Sequence, residues 1–389
     1  MAGIREGGST EKRVGLVYVV NALHPGGTER LVMEMSMAIA ADYRVSVICL
    51  DEPGRWAEEL RRQCIPVRCL WRQPGLDLRM PLRIARIARE VDATIVHAHQ
   101  CTPWFYSALA RLLYGQPRLL FEEHGRFYPE RDSLLRRIVN RAVIGPLTHR
   151  FVGVSEDIRR RLGRYEGVEV GRIDVIYNGV DPGPRLSAEE RLVLRREVGA
   201  GPEDFVVGTV GRFDAIKNLP MLIESLAGAH KRLPQIRGML VGDGPEFTAI
   251  RALVDRLGMG DRVRLMGFRF DARALVQCMD LFVLASFSEG TSMALLEALG
   301  NGVPVAVTAV GGNPEIVLAG QTGWVVPSRA TAALTAAILE AAQDAPLRER
   351  FAEAGRRRFE EHFTFGRMIE SYREVYCSMR SASAAGKSA

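Results

Sequence analysis

From Val14 onward, short β-branched runs alternate with amphipathic stretches. GLVYVV gives way to a helical pattern over Thr28 to Ala41 and then to RVSVICL, with further strand candidates at ATIVHA, RLLF, RFVGVS and RIDVIY. Strands separated by helix-length segments predict a parallel sheet covered on both faces. Near Asn178 the pattern pauses in NGVDPGPR, where glycines and prolines break both periods, and it restarts at Phe205 as FVVGTVG, GMLVGDG, RVRLMG, LFVLAS and VPVAVT. The pause reads as a linker, so the expected fold class is α/β with two doubly wound Rossmann-like domains, residues 1–183 and 184–365. Such domains bind ligands outside the carboxyl ends of their strands. The glycine-rich or charged turns fall there: Gly26-Gly27, His124, Gly211 to Lys217, Gly242 to Glu246, Ser286 to Thr291 and Gly311-Gly312. That distribution predicts a site in an interdomain cleft.

Composition fits two cores of ordinary size: 389 residues, 47% apolar and 25% charged, neither disordered nor fibrous. The net charge is +6, and arginines cluster over Arg79 to Arg89, Arg131 to Arg141 and Arg159 to Arg164, which points to an anionic substrate or surface. Six scattered cysteines with no Cys-x-x-Cys pair exclude a disulfide scaffold and suit a reducing compartment. The N-terminus MAGIREGGSTEKR precedes no apolar stretch of signal-peptide length, and no apolar run approaches the roughly 18 to 20 residues that span a bilayer. A cytoplasmic location is expected. The tail SASAAGKSA is small and polar and is expected to fray.

The densest chemistry lies in SFSEGTSMALLEALGNGVPVAVTAVGGNPE, Ser286 to Glu315. Glu289 stands in a turn after a strand and Glu297 follows eight residues later inside the next helix, so two carboxylates can reach different parts of one ligand. A helix beginning near Ser292 turns its free N–H groups and positive dipole end toward an anion in that turn. Read alone, Glu289 is equally a turn cap and Glu297 a solvated helix residue. In GRFDAIKN a strand delivers Gly211 and Arg212, then Lys217 just ahead of a helix starting at Asn218. A guanidinium fork and a mobile ammonium together suit a leaving diphosphate. GDGPE, Gly242 to Glu246, again joins a strand to a helix, with Pro245 expected in its first turn.

These motifs resemble the nucleotide-sugar glycosyltransferases of family four, which are retaining enzymes of the GT-B fold. The likeness runs over nearly the whole chain: GGTER, GRFDAIKN, GDGPE, the Glu-x7-Glu pair Glu289 and Glu297, and GG-x-x-E at Gly311 to Glu315. HFTFGRMIESYREVY resembles the family's closing helix, which implies that residues 366–389 return to the N-terminal acceptor-binding domain while 184–365 form the donor-binding domain. The resemblance further implies that Arg212 and Lys217 bind the donor diphosphate and stabilise its departing charge, and that Glu297 binds the ribose hydroxyls. It places Glu289 against the transferred sugar together with the backbone of Gly290, Thr291 and Ser292. By the same resemblance His124 lies near the donor sugar, Gly27 allows the first domain to approach the diphosphate, and Phe268 and Arg269 sit by the base, mostly through backbone groups; Gly211 and Gly242 are expected among the donor-binding residues, although the glycines of GDGPE read equally as turn formers. After Glu289 many members read Gly-Phe-Pro, whereas this chain has Gly290-Thr291-Ser292, which bears on donor identity more than on activity.

No Asp-x-Asp triplet occurs, and the expectation is metal-independent transfer, with no cofactor and a UDP- or GDP-sugar as co-substrate. His97 and His99 in VHAHQ read either as cleft residues or as a structural pair; His-x-His without further ligands does not define a metal site. The expected reaction is retaining transfer of a hexose-type sugar to a saccharide or lipid-linked saccharide, in bacterial surface-polysaccharide or glycolipid synthesis. Arg131 to Pro146 interleaves apolar residues with arginines, as would a helix resting on anionic headgroups at the inner face of the cytoplasmic membrane, or a solvated helix packed on its own sheet. An epimerase or hydrolase on the same fold, and a non-catalytic nucleotide-sugar-binding protein, are the alternatives. An oxidoreductase fits poorly, because NALHPGGTE lacks the Gly-x-Gly-x-x-Gly spacing. Nucleic acid is not an expected partner, since no recognised module or aromatic-rich basic patch is present.

Overall fold

The computed structural model describes residues 13–115, 117–125 and 130–385. Its first seven strands are β1 (Val14–Ala22), β2 (Tyr43–Glu52), β3 (Val67–Cys69), β4 (Ala93–His99), β5 (Arg118–Glu123), β6 (Arg150–Gly153) and β7 (Ile173–Val175). Six more follow: β8 (Phe205–Val210), β9 (Ile236–Val241), β10 (Val263–Leu265), β11 (Leu281–Leu284), β12 (Val305–Thr308) and β13 (Trp324–Val326). They form a seven-stranded sheet of order β3-β2-β1-β4-β5-β6-β7 and a six-stranded sheet of order β10-β9-β8-β11-β12-β13. Pairing is parallel, for example β1 with both β2 and β4, and β8 with both β9 and β11. Chain order reverses between β1 and β4 in one sheet and between β8 and β11 in the other, the doubly wound pattern expected from the strand–helix alternation.

By compactness the chain divides into two units. One comprises Met1–Glu122, Val143–Arg150 and Val375–Ala389; the other comprises Glu123–Ala142 and Phe151–Glu374. Two short strands, β3 and β13, were not foreseen; VRC and WVV are too brief to show a period. Pro245 lies in the turn before the helix Phe247–Arg256 rather than in its first turn. The cause is local: Gly244 is pressed against the backbone of Phe213, and the Glu246 N–H donates to the Phe213 carbonyl, so the chain cannot start its helix earlier.

In the first unit β1 is buried almost throughout, and its neighbours bring Tyr18, His97, His99 and Glu122 together. The Tyr376 hydroxyl lies 2.8 Å from His97 Nδ1 and 3.1 Å from the Tyr18 hydroxyl, while His97 Nε2 lies 2.9 Å from a Glu122 oxygen. Tyr376 belongs to the helix Phe365–Ala385, so this buried polar chain fastens that helix to β1, β4 and β5. In the second unit β8, β9 and β11 pack with the helices Leu219–His230 and Thr331–Gln343 around Val207, Leu222, Leu240, Leu281 and Ile338, all with no exposed surface. That rigid centre carries the loops described next.

Candidate active site

Most C-terminal-half residues singled out from sequence leave the carboxyl end of a strand in the six-stranded sheet, while Glu297 lies inside the helix Met293–Gly300. Gly211 and Arg212 follow β8, Gly242 follows β9, Phe268 and Arg269 follow β10, Glu289 to Ser292 follow β11, and Gly311 follows β12. This edge flanks the chain reversal between β8 and β11, where an open α/β sheet leaves a crevice. His124, just beyond β5, belongs to the same compact unit. Gly27 lies in the first unit, at the opening residue of the helix Gly27–Ile39, where the preceding Gly26 is extended.

The core of the site is a pair of interlocked loops. The Phe287 N–H donates to the Ile216 carbonyl at 2.8 Å, and the Asn218 side-chain amide donates to the Ala285 carbonyl at 3.2 Å. Asn218 adopts a left-handed conformation (φ 48°, ψ 44°) that asparagine tolerates better than most residues, and from it the helix Leu219–His230 departs. Held this way, Lys217 places Nζ 2.7 Å from Glu289 Oε1, which also accepts the Ser286 hydroxyl. Arg212 is looser: its side chain is 67% exposed and lies 3.6 Å from Asp214. Two cations therefore stand at the edge, one anchored by Glu289 and one largely exposed beside Asp214.

The Glu289–Thr291 turn is threaded through backbone too close for any side chain. A Cβ on Gly311 would stand 1.9 Å from the Glu289 carbonyl oxygen, and one on Gly290 would stand 2.0 Å from the carbonyl of His124. Gly311 also has φ +54°, so glycine is required on two counts. The Thr291 hydroxyl donates to the Val154 carbonyl, and the Asn178 amide donates to the Thr291 carbonyl at 3.0 Å. Ser292 then caps the helix Met293–Gly300 by accepting from the Leu295 N–H. The hydroxyls of Thr291 and Ser292 are thus engaged in shaping the turn.

Four residues singled out in the motifs gain partners that the sequence did not show. Glu297 is buried and pairs with Arg273 Nε at 2.9 Å. Arg269 is gripped by Asp271 and Glu197, which hold its guanidinium pKa above the ordinary value, so its side chain is committed within the protein. Beside it Phe268 packs edge-on to Phe270, with ring centroids 4.9 Å apart. Glu315 faces inward: its carboxylate accepts the backbone N–H groups of Glu156 and Asp157, both at 2.8 Å, and the Tyr177 hydroxyl at 2.9 Å. Burial first, and then that hydrogen bond, raise the Tyr177 pKa, which keeps the phenol a neutral donor. Glu315 is a staple on a helix N-terminus.

Among the described residues, the grouping with metal-ligand character is His97, His99 and Glu122, whose ligand atoms lie within 4.8 Å of one another. Sequence reading paired the two histidines without finding Glu122, since the contact crosses from β4 to β5. The group lies in the first unit and is engaged in the polar chain around Tyr376. No helix of the described residues is long and apolar enough to cross a membrane.

The chain matches two family models, "Glycosyltransferase Family 4" over residues 25–183 and "Glycosyl transferases group 1" over residues 190–358. It is similar to the N-acetyl-alpha-D-glucosaminyl L-malate synthase of Bacillus anthracis, 25% identical over 79% of this chain and 80% of that protein. It is also similar to the lipopolysaccharide core biosynthesis glycosyltransferase LpsE of Rhizobium meliloti, 26% identical over 91% of this chain and 96% of that protein. Among solved structures, Anabaena Alr3699/HepE in complex with UDP and glucose matches with a TM-score of 0.84 at 23% identity, over 94% of this chain and 100% of that one. Adjacent models covering both halves in order, together with a doubly wound architecture in each sheet, identify the chain as a group 1, family 4 glycosyltransferase of the GT-B fold.

Proposed function

We propose that this enzyme transfers a hexose-type sugar, with retention of anomeric configuration, from a UDP- or GDP-sugar to a saccharide or lipid-linked saccharide. The observation that carries the reading is the Lys217–Glu289 contact at the mouth of the Gly290–Ser292 turn, with the largely exposed Arg212 side chain on the neighbouring loop. In this reading Lys217 and Arg212 bind the diphosphate and favour the negative charge that grows on it as the glycosidic bond breaks. N–H groups at the start of the helix Met293–Gly300 add to that field. Glu289 and the turn backbone orient the transferred sugar, His124 lies alongside it, and Glu297 takes the ribose hydroxyls. The departing diphosphate helps to accept the acceptor's proton, so no protein nucleophile is needed, and the cationic residues replace a divalent metal.

The relatives support the donor and pathway. HepE was solved with UDP-glucose as well as with UDP, and LpsE is named for lipopolysaccharide core synthesis. We assign this chain to bacterial surface-polysaccharide or glycolipid synthesis at the cytoplasmic face of the membrane. Leu134, Leu135 and Ile138, exposed on the arginine-bearing helix Leu134–Val139, would rest on anionic headgroups there. The test is a thermal-shift screen against UDP, GDP, ADP and their sugar conjugates, with and without EDTA. A selective, EDTA-insensitive rise with one nucleotide, lost in Glu297→Ala, is expected; no rise with any sugar nucleotide would refute the donor assignment.

A further inference from the structure

A further arginine reaches the carboxyl edge of the six-stranded sheet from the turn beyond β13. Pro327, Ser328, Arg329 and Ala330 close that turn, with the Ala330 N–H donating to the Pro327 carbonyl at 3.3 Å. Its third residue, Arg329, has φ +66°. A type II turn reserves this position for glycine or asparagine, and a long side chain takes it only at a conformational cost. Both ends of the turn are tied, so the backbone is not free to relax. On one side the Val326 carbonyl accepts the Ala309 N–H at 2.8 Å, and on the other the Ala330 carbonyl accepts the N–H groups of Ala333 and Leu334 as the helix Thr331–Gln343 begins. An outlier held this firmly points to a use for its side chain.

That side chain is exposed, yet its guanidinium carbon stands over the Phe287 ring, 5.2 Å from the centroid. A guanidinium at this distance is attracted to the face of the ring and stacks on it, as a compact ammonium does not. The end of β12 brings the two together. Thr308 donates its hydroxyl to the Ser286 carbonyl at 2.7 Å, and the next residue, Ala309, is the one that holds Val326. Phe287 in turn is the joint between the two loops of the site. Its N–H donates to Ile216, next to Lys217, while its neighbour Ser286 donates to the Glu289 carboxylate. Glycine at 329 would relieve the turn and lose the contact with that joint.

We infer that Arg329 is a positioning residue: from the turn after β13 it clamps the Phe287 loop, and through that loop it holds Lys217 and Glu289 in place. Its part in sugar transfer rests on the function proposed above. Arg329→Gly tests the clamp without endangering the fold, because glycine suits φ +66°; the melting temperature should stay within about 3 °C of the parent. Amide hydrogen exchange of the unliganded full chain is the first readout, since the Phe287 N–H is protected by its bond to Ile216. Protection of the peptide containing Phe287 should fall about two- to fivefold in Arg329→Gly, the factor that corresponds to one exposed cation–π contact. Phe287→Leu should lower it about as much, with no further loss when the two substitutions are combined. Arg329→Lys keeps a cation near the ring and should restore part of the protection. The second readout is release of nucleoside diphosphate from UDP-glucose and GDP-mannose: kcat should fall by about the same factor in Arg329→Gly, with the donor KM changed less. Parent-like exchange in Arg329→Gly, additive effects of the two substitutions, or faster exchange with undiminished kcat would each overturn the inference. A parent protein inert toward both donors, with exchange responding as expected, would instead refute the donor reading and leave the clamp standing.

Discussion

Lys217 and Glu289 meet at 2.7 Å although 72 residues separate them in the chain, and the Phe287–Ile216 backbone bond beside them sets that distance. On the proposed function, the carboxylate holds the ammonium at the strand edge until a donor diphosphate competes for it. Removing the cation should therefore act on the chemical step. Lys217→Ala is expected to lower kcat by roughly 10²- to 10³-fold, the scale of losing one preorganised charge-stabilising group, with a smaller change in the donor KM. Steady-state kinetics with saturating donor provide the check, and full turnover in both Lys217→Ala and Arg212→Ala would sink the assignment.

Glu297 is the second carboxylate of the Glu-x7-Glu pair, and its Arg273 partner determines how a variant behaves. Glu297→Ala removes the carboxylate paired with a partly buried guanidinium, whereas Glu297→Gln keeps the shape and an acceptor oxygen. The alanine variant should lose the nucleotide-dependent thermal shift and some intrinsic stability. In Glu297→Ala/Arg273→Ala the intrinsic stability should recover while nucleotide binding stays about tenfold or more weakened. Recovery of both together would make Glu297 a structural partner of Arg273 and nothing more.

Two glycines with similar backbone angles separate conformational strain from steric exclusion. Gly320 has φ +69° with nothing within 4 Å of a would-be Cβ, while Gly311 has φ +54° and meets the Glu289 carbonyl at 1.9 Å. Gly320→Ala should cost about 1 kcal/mol, from backbone conformation alone. Gly311→Ala should cost more, about 2 kcal/mol or above, and should displace the Glu289 turn. Urea denaturation of the two variants, with turnover measured beside it, checks the contrast; equal costs and an active Gly311→Ala would show that the turn is not threaded as described.

Most of this site could be read from sequence because it is built from loops at strand ends, and a β-branched run followed by glycine and charge announces both at once. Arg212, Lys217, Glu289 and Glu297 were visible in that way. Arg273, Glu122 and Tyr376 were not, because each acts across elements with no local pattern to mark it. Glu315 shows a further limit. Its motif served only to mark the family resemblance, and the role of its carboxylate, spent on the N–H groups of Glu156 and Asp157, is a contact fixed by tertiary packing.

The Glu315 staple makes its own prediction. An ionised carboxylate accepting two helix-terminal N–H groups and a phenol is a charge-assisted arrangement, and Glu315→Gln replaces one acceptor oxygen with a donor facing those groups. A loss of about 1.5–3 kcal/mol is expected, against about 1 kcal/mol for Tyr177→Phe, which removes only the phenol's bond. Chemical denaturation at neutral pH measures both. A glutamine variant as stable as the parent would show that the charge on Glu315 contributes nothing to this staple.

His149 gives the first unit a dependence on acid. Its Nδ1 accepts the backbone N–H of Leu119 at 3.1 Å, which puts the neutral ring's proton on Nε2, and Arg111 lies 3.3 Å from that nitrogen. Burial first, and then the charges of Arg111 and Arg118, press its pKa down to about 4. The unfolded chain protonates this ring near its ordinary value of about 6.5, so below that pH the unfolded state binds more protons than the folded one. Stability is therefore fully present above about pH 6.5 and declines as pH falls toward 4. Because the ring is only half-buried, solvent screening reduces the effect to the order of 1 kcal/mol between pH 7 and pH 5. His149→Gln, which keeps an acceptor for Leu119 but cannot titrate, should flatten that part of the profile by the same amount. Urea midpoints for both proteins at pH 7, 6 and 5 decide the matter: parallel profiles would mean that His149 titrates alike in the folded and unfolded chain.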